Sequence, residues 1–317
     1  MTVLVLSAHD DDTATRVCQA IDQRGADYAR MDLGDFPETL SFTATGPGPA
    51  WAGRLSDGRC DLPLSDITAV YWRRPASFRM PAHLDGQHRR FAVAEARQGL
   101  GGLISSLPVP FVNHPSRVAD AELKMAQIQV AAQLGLAVPP TLVTSIGSEA
   151  RAFARQFGKV LYKPLTSAFL HADNQVRLVY ATLVGPDELD DASIALSPCQ
   201  FQVFVNKAHD IRLVAVGRDC FSVAIHAGSQ AAYMDWRADY PSLSYEPVET
   251  PDHIAEGVAA YLKHFGLSFA CFDFTVDDSG QWWFLEAGAN SQWGWLEHET
   301  GLPIADAIAR QLTGETA

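Results

Sequence analysis

The chain has 317 residues, of which 47% are apolar and 19% are charged, so a small stapled module, a disordered chain and a fibrous repeat are all excluded. The formal net charge of −13 argues against broad binding to nucleic acid, because affinity for a phosphate backbone depends on clustered cations. Five scattered cysteines without a Cys-x-x-Cys pair, and no long apolar run, predict a cytoplasmic protein without disulfides, structural zinc or a membrane span.

The first third of the chain predicts an α/β unit that opens with a strand and an amphipathic helix. Its predicted elements are a strand at 3–7, a helix at 13–23, a loop or edge hairpin at 43–60, a strand at 69–72 and a helix at 87–106. The segment 108–115 is rich in proline and predicts extended chain, since proline disfavours helix in the residue before it. We place a domain boundary in this segment.

The rest of the chain predicts helices and antiparallel strands. Helices are expected at 117–134 and at 148–157, the second with Ser148 as N-cap. Strands at 159–163, 200–205, 211–216 and 221–225 suggest an antiparallel meander. A helix that starts after Thr250-Pro251 and stops at Gly266 has an apolar face at helical spacing. Strands at 269–276 and 282–286 and a helix at 303–312 complete the prediction.

Asp273 and Glu286 lie on the two strands of the last predicted hairpin, and apolar residues flank both of them. A two-residue turn at Ser279-Gly280 places them directly opposite each other, whereas a four-residue turn makes them diagonal neighbours. Either geometry puts both carboxylates on one face, where a divalent cation relieves their repulsion. The alternative is a pair of solvated carboxylates, although a charge is seldom buried without a partner.

Lys163 is a candidate for binding phosphate, since it ends an apolar run and opens a polar loop at 166–175. A lysine in this position suits a point-charge contact to a nucleotide phosphate. A surface lysine whose stem packs along apolar residues gives the same pattern. Lys124 is a weaker candidate of the same kind, because pairing with Glu122 or another acid explains it equally well.

Asp210 and Arg212 are two residues apart on a predicted strand, so their side chains face the same way. The acid suits ribose hydroxyls, and the guanidinium suits phosphate or acyl-phosphate oxygens. A cross-strand ion pair is the alternative. The sequence contains neither a Gly-x-x-x-x-Gly-Lys-Ser/Thr loop nor a Gly-x-Gly-x-x-Gly after the first strand, so the usual nucleotide-binding fingerprints are missing.

The order of these candidates resembles the ATP-grasp superfamily. That order is Lys124, Lys163, Gln202 with Val203, Phe204 and Val205, Asp210 and Arg212, then Asp273 and Glu286. Further motifs are similar to those of the ATP-grasp ribosomal-peptide maturases of actinobacteria, the graspetide synthetases, which are relatives of the microviridin ligases. These motifs are Tyr71-Trp72-Arg73-Arg74-Pro75, Asn113-His114-Pro115, Lys207-Ala208-His209-Asp210-Ile211-Arg212, Met234-Asp235-Trp236-Arg237 and Gln292-Trp293-Gly294-Trp295.

The resemblance implies an α/β (α+β) ATP-grasp fold with a Rossmann-like pre-ATP-grasp domain at 1–112, a central lobe at 113–199 and a C-terminal lobe at 200–317. It implies ATP and Mg²⁺ as cofactors. The residues implied to bind the nucleotide are Lys124, Lys163, Gln202, Val203, Phe204, Val205 and Asp210. Asp273 and Glu286 are implied to bind the metal, and Arg212, Arg237 and Arg74 to act on the reacting groups.

One motif departs from the family pattern. Leu-Glu-x-Asn-Pro-Asn-Gly-Gln-Trp appears here as Leu285-Glu286-Ala287-Gly288-Ala289-Asn290-Ser291-Gln292-Trp293. The family's metal-ligating Asn is therefore replaced by Gly288, which has no side chain to reach a cation. Asn290 is the candidate substitute, provided that the loop reshapes, since it lies two residues further on.

The resemblance implies ATP-dependent macrocyclisation of a ribosomally made precursor peptide. An Asp or Glu side chain of the peptide becomes an acyl phosphate, and a Ser, Thr or Lys side chain displaces the phosphate to give an ester or an amide. A ligase for small amino acids or peptides and a non-catalytic binding relative are the alternatives. The expected partners are the precursor's leader and core and a second copy in a homodimer, and the acidic chain is expected to attract a basic leader.

Overall fold

The computed structural model describes residues 2–46, 48–166, 169–172 and 175–315. The N-terminal unit contains, in chain order, β1 (Thr2–Ser7), α1 (Asp12–Gln23), β2 (Asp27–Met31), β3 (Ser41–Thr45), β4 (Ala52–Ser56), β5 (Asp61–Pro63), β6 (Ile67–Arg74), α2 (Gly86–Ala96), α3 (Gly102–Ser105) and β7 (Phe111–Val112). A π-helical segment, Arg97–Gly101, joins α2 to α3, so the long helix expected at 87–106 is present as one run of helical backbone.

The sheet of this unit is parallel, has the strand order β2-β1-β6-β7 and is covered on both faces. Side chains alternate along β1, with Val3 and Val5 in one core and Leu4 and Leu6 in another. Strand β2 is missing from the sequence prediction because Asp27 and Arg30 interrupt its apolar pattern. The segment at 43–60 contains the end of β3 and all of β4, which pair as antiparallel strands, so the hairpin alternative is confirmed, and β5 extends this sheet.

The middle of the chain contains α4 (Pro115–Ala121), α5 (Lys124–Gln133), β8 (Thr141–Thr144), α6 (Gly147–Phe157), β9 (Val160–Lys163), β10 (Phe169–Ala172), β11 (Gln175–Leu178), β12 (Thr182–Val184), α7 (Asp191–Ile194) and β13 (Cys199–Val203). An antiparallel sheet with the order β12-β9-β13-β8 packs against α6 and α7 around its own small core. The predicted polar loop at 166–175 includes residues 167, 168, 173 and 174, which lie outside the described residues.

The sequence prediction of helices in this region is wrong in two respects. The single helix expected at 117–134 is broken at Leu123, whose ψ of 100° is extended, so that a new helix begins at Lys124. Ser148 is not an N-cap, because α6 begins at Gly147 after Ile146 and has no side-chain cap. The expected boundary between residues 199 and 200 stays a prediction, and it lies within β13, which belongs to the middle sheet.

The C-terminal unit contains β14 (His209–Val216), β15 (Asp219–Ala227), α8 (Gln230–Met234), β16 (Leu243–Val248), α9 (Asp252–Phe265), β17 (Phe269–Val276), β18 (Trp282–Gly288), α10 (Gly294–Thr300) and α11 (Ile304–Thr313). Its antiparallel sheet has the order β16-β15-β14-β17-β18. The meander expected from four successive strands is therefore wrong, because β9 and β13 pair in the middle sheet while β14 and β15 pair in this one.

The two faces of this sheet serve two different cores. One core joins the sheet to α9, α4 and α5, so the two helices expected in the central lobe pack on the C-terminal unit instead. The other core joins the sheet to α1, α11 and the parallel N-terminal sheet. The helix predicted to stop at Gly266 is confirmed, since α9 ends at Phe265 and Gly266 has a φ of +64°. No helix in the described part of the chain is long and apolar enough to cross a membrane.

Asn113 fastens the parallel sheet to the C-terminal sheet, directly after β7. Its buried amide nitrogen donates to the carbonyl oxygens of Phe269 at 2.7 Å and Ala289 at 2.8 Å. Its amide oxygen accepts the N–H groups of Ser268 at 2.8 Å and Phe269 at 3.1 Å. One side chain thus satisfies four backbone groups at the junction between the units.

We predict that Asn113→Ala lowers the free energy of unfolding by about 3 kcal/mol or more, because it leaves buried backbone donors and acceptors unpaired. Asn206→Ala is the matched control, since Asn206 is exposed, and it should change stability by less than about 0.5 kcal/mol. Urea-induced unfolding followed by tryptophan fluorescence measures both. Equal stability of the two variants would contradict the junction role of Asn113.

Candidate active site

A cleft separates the middle sheet from the C-terminal sheet, and charged side chains of both signs line it. The middle sheet and the segment after it contribute Leu161, Lys163, Gln202, Val203, Phe204, Val205 and Lys207. The C-terminal sheet contributes Asp210, Asp273, Thr275, Leu285 and Glu286, and the end of α8 with the segment after it contributes Met234, Asp235, Trp236 and Arg237. Nine of the residues that the sequence singles out therefore line one cleft: Lys163, Gln202, Val203, Phe204, Val205, Asp210, Arg237, Asp273 and Glu286.

Asp273 and Glu286 face each other across β17 and β18, as the two-residue turn would place them. The turn itself is different, because Val276 pairs with Trp282 and five residues lie between them. The register shifts by one residue after Phe274, so that Phe274 opposes Phe284 while Asp273 opposes Glu286, and Leu285 is the extra residue of a β-bulge. The bulge, rather than the turn, brings the two carboxylates together.

Glu286 is held in its ionised form by lysines from two other elements. Lys124, the first residue of α5, forms an ion pair with it, and the break in the predicted helix is what presents this lysine to the cleft. Burial acts to raise the pKa of Glu286, but the positive charges of Lys124 and Lys163 outweigh burial and lower that pKa to about 2. Burial lowers the pKa of Lys163, and the charge of Glu286 opposes this shift.

Asp273 is paired with Arg212, which lies opposite it on β14. The buried guanidinium donates to Asp273 Oδ1 at 2.7 Å and to the carbonyl oxygen of Gln292 at 2.9 Å. Burial disfavours the charge on Arg212, but Asp273 more than compensates, so the pKa of Arg212 is raised. The cross-strand ion pair considered for Arg212 is therefore present, with Asp273 as its partner.

Asp210 has a different cationic partner, which the sequence prediction missed. Its carboxylate accepts from Lys207 Nζ at 2.5 Å, and both side chains are buried. Burial raises the pKa of Asp210, and the charge of Lys207 opposes the shift. Asp210 still lines the cleft, but the structure joins it to Lys207 and not to Arg212.

The rim of the middle sheet offers hydrogen-bonding groups of the backbone. Gln202 accepts from Lys163 Nζ at 3.2 Å and donates to Thr141 at 3.0 Å, so its amide is fixed in place. The strand β13 ends at Val203, and within the described ranges the backbone N–H of Val205 donates to no other group. A free backbone donor beside the apolar surface of Leu161 and Phe204 suits a planar heterocycle.

Arg237 points into the cleft from a short helical turn after α8. Asp235 holds it with two hydrogen bonds, 2.8 Å from Nε and 2.7 Å from Nη2, and is itself buried. These bonds raise the pKa of Arg237, so its charge is secure. Asp235 was not singled out from the sequence, although its position in the Asp235-Trp236-Arg237 motif is a usable signal.

Arg74 and Asn290 lie outside the carboxylate pair. Arg74 is exposed, lines a second groove beside α1 and donates to the carbonyl oxygen of Asn290 at 3.0 Å. The side-chain amide of Asn290 is engaged by Arg73, with one bond from the guanidinium at 3.1 Å and one to the Arg73 carbonyl oxygen at 2.8 Å. The structure thus turns Asn290 towards the N-terminal unit, and binding a metal would require it to leave Arg73.

The carboxylates of Asp273 and Glu286 are suited to a hard divalent cation. Arg212 occupies Oδ1 of Asp273, and Lys124 occupies Oε2 of Glu286. The second oxygen of each carboxylate accepts no hydrogen bond from the residues that the structure describes. Carboxylate oxygens, completed by water and phosphate oxygens, are the donor set that Mg²⁺ prefers.

Comparison with known proteins finds relatives over the whole chain. Residues 2–119 match the family model of the MvdD pre-ATP grasp domain. A Chryseobacterium gregarium RiPP-associated ATP-grasp ligase, solved with ADP and a leader and core peptide, is 25% identical, with a TM-score of 0.92 over 100% of this chain and 97% of that one. Curated protein sequences give no match.

Two further solved structures are similar. The macrocyclase MdnC of Microcystis aeruginosa MRC, bound to the precursor peptide MdnA, is 28% identical, with a TM-score of 0.87 over 99% of this chain and 100% of that one. The ATP-grasp ligase PsnB, solved with a minimal precursor, Mg and ADP, shares the fold at 18% identity, with a TM-score of 0.78 over 99% and 97%. These likenesses confirm the α/β (α+β) ATP-grasp fold with a pre-ATP-grasp domain.

We predict that Lys207→Met lowers the free energy of unfolding by about 3 kcal/mol at pH 8, because it leaves the buried carboxylate of Asp210 without its cation. The loss of stability should be smaller at pH 5. Burial raises the pKa of Asp210 in the folded state, so an Asp210 without its lysine can be protonated at low pH and is then tolerated. It becomes destabilising as the pH rises through that pKa and the buried carboxyl group ionises. Lys263→Met, on the exposed side of α9, is the control and should be neutral at both pH values. If Lys207→Met lowered the free energy of unfolding by the same amount at both pH values, this account would be contradicted.

Proposed function

We propose that the chain is an ATP-grasp ligase of the kind that matures ribosomal peptides, a graspetide synthetase, and that it closes macrocycles in a precursor peptide by ATP-dependent ligation of side chains. One observation carries the proposal. A cleft between two antiparallel sheets brings together the carboxylates of Asp273 and Glu286 with Lys163 and Arg237, and Lys124 and Arg212 form ion pairs with the two carboxylates. This is the charge pattern needed to bind a nucleoside triphosphate and to transfer its terminal phosphoryl group.

The nucleotide site proposed here uses both sheets. The backbone of Val203, Phe204 and Val205 would receive the adenine, with Leu161 packed against the ring. Lys163 and Lys124 would contact phosphate oxygens, since both ammonium groups already converge on Glu286. The relative from Chryseobacterium was solved with ADP, which supports a nucleotide in the corresponding cleft of this chain.

Asp273 and Glu286 would hold Mg²⁺, which supplies positive charge against the phosphates and the leaving ADP. Each carboxylate also has a cationic partner in the protein, since Arg212 pairs with Asp273 and Lys124 pairs with Glu286. When a metal takes the free oxygens, the lysine and the arginine can keep the other oxygens. Both carboxylates thus fit the ion without losing the partners that hold them in place.

The proposed reaction has two steps. A carboxylate oxygen of the peptide attacks the γ-phosphorus of ATP, the bond to the β-γ bridging oxygen breaks, and ADP leaves behind an acyl phosphate. A hydroxyl or amine of the peptide then attacks the acyl carbon, loses a proton and expels inorganic phosphate. Arg212 faces the metal-binding carboxylate and is placed to stabilise negative charge on the transferring group.

Arg237 and Arg74 are proposed to guide the peptide. Arg237 lines the cleft and is oriented by Asp235, so its guanidinium is preorganised to receive the acceptor carboxylate. Arg74 lines the second groove together with Gln292, whose carbonyl oxygen accepts a hydrogen bond from Arg212, and would contact a more distant part of the core. A basic leader suits the net charge of −13 because opposite charge raises the rate of encounter.

The expected homodimer stays a prediction, which light scattering of the purified protein tests.

We predict that the protein, given ATP, Mg²⁺ and its precursor, yields a peptide lighter by the mass of one water for every link formed. Each link joins a carboxyl group to a hydroxyl or an amine, so mass spectrometry counts the links, and mild alkaline hydrolysis separates esters from amides. A peptide that gains amino-acid residues would favour the small-substrate ligase instead. An unchanged peptide with unconsumed ATP would favour the alternative that the protein is a non-catalytic relative that only binds its ligands.

We predict that Lys163→Met weakens ATP binding at least tenfold and nearly abolishes turnover, because the stem is kept and only the phosphate-binding charge is lost. Lys159→Met is the matched control, since this exposed lysine precedes the same strand and does not line the cleft. Calorimetry with a non-hydrolysable ATP analogue measures both variants. Equal affinity of the two variants would remove Lys163 from the phosphate site.

A further inference from the structure

Gly288 and Ser291 compete for one volume at the end of β18. A Cβ atom placed on Gly288 would lie 1.9 Å from Ser291 Oγ and 3.0 Å from Ser291 Cβ, so no side chain fits there while Ser291 keeps its position. The backbone at Gly288 does not require glycine, because its φ lies outside the left-handed region. The serine side chain is therefore what excludes a side chain at position 288.

Position 288 lies on the same face as the two carboxylates. Gly288 follows Glu286 by two residues on β18 and pairs with Cys271, which precedes Asp273 by two residues on β17. Side chains alternate along a strand, so a side chain at 288 would leave the sheet on the Glu286 side. Ser291 Oγ fills that position, and in the described ranges its hydroxyl makes no hydrogen bond.

The motif comparison shows an exchange between these two positions. In the motif that residues 285–293 resemble, an Asn stands at the position of Gly288 and a Gly stands at the position of Ser291. The chain thus loses a side chain at one position and gains one at the other, and the gained oxygen lies where the lost side chain would begin. A coupled exchange of this kind keeps an oxygen-bearing side chain in this part of the loop, although the serine side chain is smaller than that of asparagine.

We propose that the hydroxyl of Ser291 is the oxygen donor that replaces the missing Asn at the metal site, and that Gly288 is present because it makes room for this serine. The proposal rests on the proposed function, which places Mg²⁺ at Asp273 and Glu286. A serine hydroxyl is an established ligand for Mg²⁺ in nucleotide-binding proteins, where it shares the ion with phosphate oxygens. Asn290 is then free to remain bonded to Arg73.

The test measures the Kd of the protein for Mn²⁺, a paramagnetic substitute for Mg²⁺, by electron paramagnetic resonance in the presence of saturating ADP. Ser291→Ala should raise the Kd for Mn²⁺ by roughly tenfold, as expected when an ordered group around a metal is lost. Ser291→Thr keeps the hydroxyl and should retain most of the affinity. Ser197→Ala, at an exposed serine outside the cleft, is the control and should match the natural chain.

The exchange itself is tested with two more variants. Gly288→Asn alone should bind Mn²⁺ more weakly than the natural chain, because its Cβ overlaps the Ser291 side chain. Adding Ser291→Gly to Gly288→Asn removes the overlap and should restore the affinity to within about threefold of the natural chain. A double variant no better than the single one would overturn the coupling between the two positions.

The outcomes also separate this proposal from the function on which it rests. If the natural chain and Ser291→Ala bind ADP and Mn²⁺ equally well, and circular dichroism shows both folded, Ser291 is not the donor and this inference alone is overturned. If the natural chain binds neither ADP nor Mn²⁺, the proposed function is overturned with it. ADP affinity measured without metal should be the same in all these variants, since none of the changed residues contacts the nucleotide site.

Discussion

The cleft depends on keeping two like charges side by side on adjacent strands. Asp273 and Glu286 would repel each other in a part-buried site unless cations compensated them, and each has its own partner. Arg212 comes from the neighbouring strand, whereas Lys124 comes from a helix that must start anew for the lysine to reach the cleft. The carboxylate pair therefore constrains the sheet register, the bulge at Leu285 and the break at Leu123 at the same time.

A second charged residue connects this site to the N-terminal unit. Arg73 is almost fully buried, lies near Asp11, and donates to the loop after β18 at Asn290, Ser291 and Gln292. The same loop supplies the carbonyl oxygen that fixes Arg212. The pre-ATP-grasp domain thus positions the loop that carries the proposed metal donor. A buried guanidinium with several carbonyl acceptors is suited to this task, since it can satisfy many groups from one side chain.

The elements that were predicted well are those whose pattern is local. Helix α9 has an apolar face at helical spacing and ends at a glycine. Strands β17 and β18 consist mainly of apolar residues, whose side chains are buried on one or both faces of the sheet. The errors have a common physical cause. Nothing between 117 and 134 forbids a continuous helix, so the break at Leu123 follows from the contact of Lys124 with Glu286, which is 162 residues away. Likewise, which sheet a strand joins depends on pairing with strands distant in the chain, and periodicity carries no information on that choice.

The sequence by itself determined the residue types of the site and their order, because phosphate binding and metal binding require lysines, arginines and carboxylates that stand out against an apolar background. Alternation alone did not determine that Asp273 and Glu286 share a face, because the pairing of Val276 with Trp282 would continue to Asp273 opposite Leu285, and only the bulge at Leu285 brings Glu286 to the same face. Only the tertiary structure decided the partners: Lys207 for Asp210, Asp273 for Arg212, Arg73 for Asn290, and Ser291 in the space that Gly288 leaves open. Partner choice depends on distances of a few ångströms between segments far apart in the chain, and those distances are set only when the sheets pack together.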